Sequence, residues 1–302
     1  MLKLVGCVAC AILFEGKSAG TNTSPAMNLE TVKISNEVCE AEITTKPFVH
    51  LLGFRFLGAK NHLLNFDTPN PLKNGKPVRP LFIVGAKLWY APEIPGSAGF
   101  GMLTGDVTQK RYEVDANLKP DPASNLQGSI RFVLDENGAQ LTISSVITNV
   151  GETARETSCW WPVSFEPGGK MEAVPIPSPT EPSFSYHFWS YGGTASEPAC
   201  KIDKDLVTLD LGRPLNPPIF KIGFVSREIV VTKSDCVFRL TAIDPSVNVK
   251  NTYPHGNSPV MLYCDQRSGF CEAELSGPLV MLQPGQAKAF TFTIALERPS
   301  KK

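Results

Sequence analysis

The sequence predicts an all-β fold of large, stacked antiparallel sheets, and three observations carry that expectation. Proline (26) and glycine (24) are spread along all 302 residues, and no long window repeats its apolar positions with helical period. Period-two alternation recurs: Ile130, Phe132 and Leu134 share one face, as do Phe290, Phe292, Ile294 and Leu296 with Thr291 and Thr293 opposite, which marks half-buried antiparallel strands. Strand and turn signals then repeat at a spacing that suits two sheets packed face to face.

In chain order, Lys3, the apolar run Leu4 to Phe14 and the small residues Gly16-Lys17-Ser18-Ala19-Gly20 have the layout of a secretory leader over residues 1–20. The run is too short to span a bilayer. Leu4-Val5-Gly6-Cys7 offers an alternative, a lipoprotein box with lipid on Cys7. The expectation is an exported protein, periplasmic or extracellular, with outer-membrane lipid attachment as the alternative and no transmembrane helix in the mature chain. Residues 21–28 form a flexible start and 29–298 one sandwich domain. Strands are predicted over 32–43, 48–57, 80–84, 128–134, 139–150, 206–211, 220–225, 228–232, 236–243, 260–264 and within 269–278. Asp135-Glu136-Asn137-Gly138 predicts a hairpin turn, because Asn-Gly supplies positive φ cheaply. The proline-rich run 175–182 and its aromatic sequel 184–189 read as an ordered loop at one end of the sandwich.

Formal net charge is zero, charged residues make up 19%, and no like-charge block precedes Lys301-Lys302, so neither nucleic acid nor anionic lipid is an expected partner. Without the leader, six cysteines remain: Cys39, Cys159, Cys200, Cys236, Cys264 and Cys271. An even set fits disulfides in an oxidising compartment, and Cys264 and Cys271 flank a loop that one bridge would close; buried free thiols are the alternative. His50, His62, His187 and His255 lack ligand-like spacing, no Cys-x-x-Cys survives in the mature chain, and nucleotide-binding glycine loops are absent, so no metal or cofactor is expected. Gly16 to Gly20 matches Gly-x-Ser-x-Gly, but inside the leader, without the strand-turn-helix setting that exposes a nucleophilic serine.

The chemistry-bearing residues gather in four places. Glu272 and Glu274 lie two apart in an apparent strand and so project from one face. Gly85 to Glu93 mixes Lys87, Trp89, Tyr90 and Glu93 at a strand end, where ligand groups are commonly mounted. Ser158-Cys159-Trp160-Trp161-Pro162 and Ser185-Tyr186-His187-Phe188-Trp189-Ser190-Tyr191 repeat the mixture. Carboxylates with flat aromatic rings are what a carbohydrate pocket requires, since sugar hydroxyls need polar partners and the C–H face packs on rings.

Several stretches, in this order and spacing, resemble the galactose-mutarotase-like proteins, and within them an uncharacterised bacterial branch known only as a domain of unknown function. They are Leu52-Gly53-Phe54-Arg55, Asn61-His62-Leu63-Leu64, Gly85 to Glu93, Thr148-Asn149-Val150-Gly151, Trp161-Pro162, Pro167-Gly168-Gly169, Glu272-Ala273-Glu274, Gly277-Pro278 and Leu282-Gln283-Pro284-Gly285. The resemblance implies a large antiparallel β-supersandwich with a sugar-binding face, a glutamate base at Glu272 or Glu274, and a histidine acid. The family's His-Pro signature stands here as Trp161-Pro162, and an indole cannot deliver a catalytic proton. His187 or His255 would then have to supply it. The reading is an exported, carbohydrate-recognising protein with Arg55, Lys87, Trp89, Glu93, Trp161 and Trp189 as ligand contacts. An aldose 1-epimerase and a non-catalytic cell-envelope module are the alternatives.

Overall fold

A computed structural model describes residues 29–68, 83–94, 97, 102–177, 186–190, 200–214, 218–244, 247–248 and 251–299, without the side chains of Ser190 and Phe220. The leader, the flexible start and most of the 175–182 run lie outside the described residues, as do residues 80–82 of the strand expected at 80–84. Its remaining residues, Ile83 and Val84, form a turn.

The regular structure of the described residues is almost entirely strand, numbered here in chain order, and every pair is antiparallel. A ten-stranded sheet runs β12 (Cys200–Ile202), β13 (Val207–Asp210), β10 (Lys170–Ala173), β15 (Glu228–Thr232), β16 (Val237–Ala242), β20 (Ala287–Glu297), β8 (Gln140–Asn149), β7 (Leu126–Leu134), β6 (Glu113–Leu118), β5 (Gly105–Gln109). The second sheet runs β11 (Tyr186–Ser190), β14 (Ile219–Phe224), β17 (Val260–Asp265), β18 (Phe270–Ser276), β9 (Arg155–Phe165), with β19 (Val280–Leu282) and β4 (Trp89–Ala91) also paired to β9. A three-stranded unit, β1 (Glu30–Ser35), β2 (Cys39–Lys46) and β3 (His50–Phe56), joins it through the bridges Leu51 to Ala86 and Ala86 to Val163. Among the described residues the one α-helical element, α1 (Pro254–Asn257), is a single turn, and no helix is long and apolar enough to cross a membrane.

One apolar core fills the space between the sheets. Residues alternate in and out along β8 and β16, and the inward ones, Ile143, Ile147, Phe238 and Leu240, join Phe132, Trp161, Phe165, Phe290 and Phe292 in it. β18 breaks that alternation, because all seven of its residues are buried. It is an interior strand whose outer face is also covered, and there the glutamates lie.

Local physics redraws several expected boundaries. The stretch 32–43 splits into β1 and β2 because the Asn36 side-chain oxygen accepts bonds from the backbone N–H of Val38 (2.7 Å) and Cys39 (2.8 Å), which turns the chain. The β7–β8 hairpin forms as expected, but by another device. Oδ1 of Asp135 accepts from the N–H of Asn137 (2.8 Å) and Gly138 (2.6 Å), and neither residue takes positive φ. β9 is absent from the expected strands: buried on both faces, it offers no alternation to read. Residues 186–189, expected in a loop, belong to the edge strand β11.

The disulfide framework is corrected too: among the described residues Cys39, Cys159, Cys236, Cys264 and Cys271 form no disulfide. Cys39, Cys159 and Cys236 are buried at separate places in the core, and burial pushes their thiols up to about 11, about 12 and about 12, so they persist as small apolar groups. Cys264 and Cys271 are register partners across β17 and β18, their sulfurs 2.7 Å apart.

Candidate functional site

Strand register decides what the outer face of the second sheet presents. Glu272 lies opposite Ser164, Glu274 opposite Pro162, Leu275 opposite Trp161 and Ser276 opposite Trp160. Because successive residues alternate, Trp161, Val163, Ala273 and Leu275 enter the core while Trp160, Ser164, Glu272 and Glu274 face out. β14 delivers Lys221 and β11 delivers Trp189 as its register partner, with His187 two residues before. Two small apolar clusters line this face, Leu64, Ile83 and Phe270 in one, Ala91, Trp160 and Met261 in the other.

Lys87 reaches the site through Gly85. At φ +67°, Gly85 takes a conformation that disfavours side chains, and a Cβ there would lie 2.3 Å from the Leu51 carbonyl oxygen. This close approach bridges Ala86 between β3 and β9 and leaves Lys87 fully buried beneath the carboxylates.

Each glutamate is held in the same way, by one ammonium and one neutral donor on a single oxygen. Oε1 of Glu272 accepts from Lys87 Nζ (2.9 Å) and from Ser164 Oγ (2.6 Å), whose own oxygen accepts from Lys87 at 2.7 Å. Oε2 of Glu274 accepts from Lys221 Nζ (2.8 Å) and Trp160 Nε1 (2.8 Å). The Lys221 ammonium also lies over the rings of Trp160 (4.7 Å) and Trp189 (5.6 Å), a cation–π arrangement. Burial pushes the Glu274 carboxyl up to about 7, although Lys221 and Trp160 pull it the other way. Burial likewise lowers the Lys87 ammonium, with Glu272 opposing.

Trp160 is the hub of the aromatic side. Trp89 meets it edge-on at 4.7 Å and His255 lies against it at 4.2 Å, so it is buried, while Trp89 and Trp189 stay half-exposed. His255 sits in a left-handed backbone conformation (φ 55°), followed by Gly256 (φ 67°) and Asn257 (φ 64°). The loop is fixed by the Tyr253 N–H donating to Asn257 Oδ1 (2.9 Å), and Gly256 packs directly on the His187 ring. Burial and the Lys221 charge hold His255 well below the usual histidine value; partial burial lowers His187. Nδ1 of His255 lies 3.8 Å from Glu93 Oε1.

Eight of the ten residues expected at the site thus share this face or its rim: Lys87, Trp89, Glu93, His187, Trp189, His255, Glu272 and Glu274. Two do not. Trp161 has no exposed surface and donates its Nε1–H to Ser145 Oγ (3.0 Å) in the core, so its ring cannot meet a ligand. Arg55 is tied to Glu40 and lies 3.9 Å from Glu42, in the three-stranded unit. Three side chains of this face were not among the expected site residues: Trp160, although its cluster was singled out, Ser164 and Lys221. Lys221 had a signal, a lone cation alternating with Phe220, Ile222 and Phe224.

No family model and no curated protein matches the sequence. Among solved structures, a galactose mutarotase-like protein from Lactobacillus casei ATCC 334 aligns over 89% of this chain and 100% of its own, with a TM-score of 0.63 at 12% identity. The fold is galactose mutarotase-like. A candidate aldose 1-epimerase from Escherichia coli K12 aligns over 90% of this chain and 100% of its own (TM-score 0.59, 12% identity). A galactose mutarotase-like protein from Clostridium acetobutylicum aligns over 90% and 99% (TM-score 0.54, 9% identity). On this galactose mutarotase-like scaffold, Trp161 of the Trp161-Pro162 pair points away from the glutamates, and only Pro162 shares their face.

Proposed function

We propose that the outer face of the second sheet binds a carbohydrate and that the protein is exported to do so. The observation that carries the reading is the pair of lysine-anchored carboxylates, Glu272 and Glu274, beside the half-exposed indoles of Trp89 and Trp189. Anchored carboxylates are pre-aligned to accept bonds from sugar hydroxyls, Glu274, 1% exposed, being reached as the side chains over it move, and the indoles offer flat surface to a C–H face. The likeness to galactose mutarotase-like structures supports the ligand class, and the leader-like N-terminus supports export. Titration with neutral hexoses is expected to change the intrinsic fluorescence saturably, and Trp189→Ala to weaken binding at least tenfold. A broad glycan panel without a saturable response refutes the reading.

A second reading, aldose 1-epimerase, is favoured by one observation: Glu274 titrates at about 7, where a general base is most useful. As a carboxylate it would take the anomeric hydroxyl proton while a water molecule gives a proton to the ring oxygen and the C1–ring-oxygen bond breaks; on reclosure Glu274 returns its proton to the anomeric oxygen and the ring oxygen's proton goes back to the hydroxide, giving either anomer. Polarimetry on freshly dissolved hexoses is expected to show acceleration that falls about 100-fold or more in Glu274→Gln. Wild-type protein that leaves the spontaneous rate unchanged, or full activity in Glu274→Gln, removes this reading and leaves the binder.

A further inference from the structure

We infer that His62 is a proton-operated latch between the two sheets: while its ring is charged it fastens the turn between β15 and β16 to the chain leaving β9, and when it gives up a proton it lets that turn go.

Three segments meet at the ring. His62 lies in the stretch that follows β3, and its neighbour Leu63 bridges to Phe165, the last residue of β9. Glu166 comes next, where the chain crosses from the second sheet toward β10 of the ten-stranded one, and Asp235 lies in the turn between β15 and β16. The ring is buried. Its Nδ1 is 2.6 Å from Glu166 Oε1, its Nε2 is 2.5 Å from Asp235 Oδ1, and the Phe238 ring stands edge-on at 6.2 Å.

The supply of donors fixes the charge. A neutral imidazole has one N–H and one lone pair, so between two carboxylates it would set that lone pair against an anion, whereas the imidazolium donates from both nitrogens. The proton does not belong on a carboxyl instead. Burial pushes Glu166 and Asp235 up, but His62 on both, and Lys60 on Glu166 at 2.7 Å, hold each below the usual carboxylate value. A buried cation bonded at both ends to anions is a firm tie between the segments that carry them.

Loss of one proton leaves two carboxylates competing for a single N–H, and Asp235 is the one released. Glu166 keeps Lys60, whereas the Asp235 side chain is 48% exposed and its contact with Ser234 Oγ is long, at 3.5 Å, so water takes it over readily. Lys233 fastens the same turn in a second way, its Nζ donating to the carbonyls of Glu166 (2.6 Å) and Gly168 (2.7 Å). Burial lowers that ammonium to about 8. The charged groups around the ring among the described residues are thus Glu166, Asp235, Lys60 and Lys233.

The test uses the full-length protein at pH 6 and pH 9, with ¹⁵N NMR on the His62 ring and hydrogen exchange at the amides of Leu64, Glu166 and Lys233, which donate to the carbonyls of Ser164 (2.9 Å), His62 (3.1 Å) and Cys236 (2.8 Å). Both ring nitrogens are expected to carry protons at pH 6 and only one at pH 9. Protection, taken against the unfolded chain at each pH, is expected to fall at least tenfold further in wild type than in Asp235→Asn. That variant stays latched, because a neutral ring donates to Glu166 from Nδ1 and accepts at Nε2 from the new amide. It also leaves Lys233 in place, so the titration of that ammonium cancels in the comparison. His62→Gln, whose one amide cannot span both carboxylates, is expected to lose at least tenfold in protection already at pH 6. A ring nitrogen without a proton at pH 6 in wild type overturns the inference, as does a ring that still carries both protons at pH 9. Equal falls in wild type and Asp235→Asn overturn it too, and so does a His62→Gln protein as well protected as wild type at pH 6.

Discussion

Trp161→Ala is expected to destabilise the protein by about 3–5 kcal/mol, the range for truncating a large aromatic in a packed core. The ring has no exposed surface, lies 5.4 Å from Phe292 and 6.4 Å edge-on from Phe132, and bonds Ser145 through its indole nitrogen. Truncation therefore opens a cavity and takes away one of the two hydrogen bonds of the buried Ser145 hydroxyl, which still donates to the Phe290 carbonyl. Urea unfolding followed by circular dichroism reads the loss. Trp189→Ala, on a half-exposed edge-strand residue, is expected to cost far less stability while carrying the binding defect. A Trp161→Ala protein that unfolds within 1 kcal/mol of wild type would contradict the placement of this ring between the sheets.

Glu274 is expected to take about 3 kcal/mol off stability as pH rises from about 4.5 to about 7, against His255 and His187, whose lowered folded values add stability as pH rises toward the usual histidine value. The Glu274 carboxyl moves from an ordinary 4.5 to about 7 on folding. The folded state thus holds a proton that the unfolded chain has released over that interval. With a raised folded value, the contribution is fully present below the unfolded value and is lost as pH climbs through the folded one. The magnitude follows from about 1.4 kcal/mol for each tenfold change in proton affinity. Denaturant midpoints measured from pH 4 to 8 should show wild type losing stability relative to Glu274→Gln as pH rises, the histidine contributions being common to both. The difference in slope is the readout, since the glutamine also leaves Lys221 without its ion pair and lowers stability at every pH. An unaltered slope would place the titrating group elsewhere.

Much of the fold was legible because its physics is local. Alternation in 130–134 and 290–296 marks strands with one dry face, and that is what β7 and β20 are. The two-residue spacing of Glu272 and Glu274 placed them on one side of β18. Legibility ended where both faces of a strand are covered. β9 reads as an unbroken apolar run, so nothing local says which of Trp160 and Trp161 faces out; pairing with β18 decides it, and the wrong indole was expected at the ligand. Arg55 failed for a similar reason, since its partners Glu40 and Glu42 come from the neighbouring strand β2. Asn36 shows the limit from the other side, for its turn is a side-chain device that hydrophobic patterning does not register.

The bond between Lys87 and Glu272 joins residues 185 positions apart, and that between Lys221 and Glu274 spans 53. During synthesis, therefore, the first ammonium waits until nearly the whole polypeptide has emerged before its counter-charge exists. A product truncated ahead of the final hairpin would carry two buried cations with no anions to meet them, a state that burial penalises heavily. The paired charges thus act as a completeness check: early arrest leaves a species driven toward unfolding and proteolysis, rather than a half-built sandwich that persists.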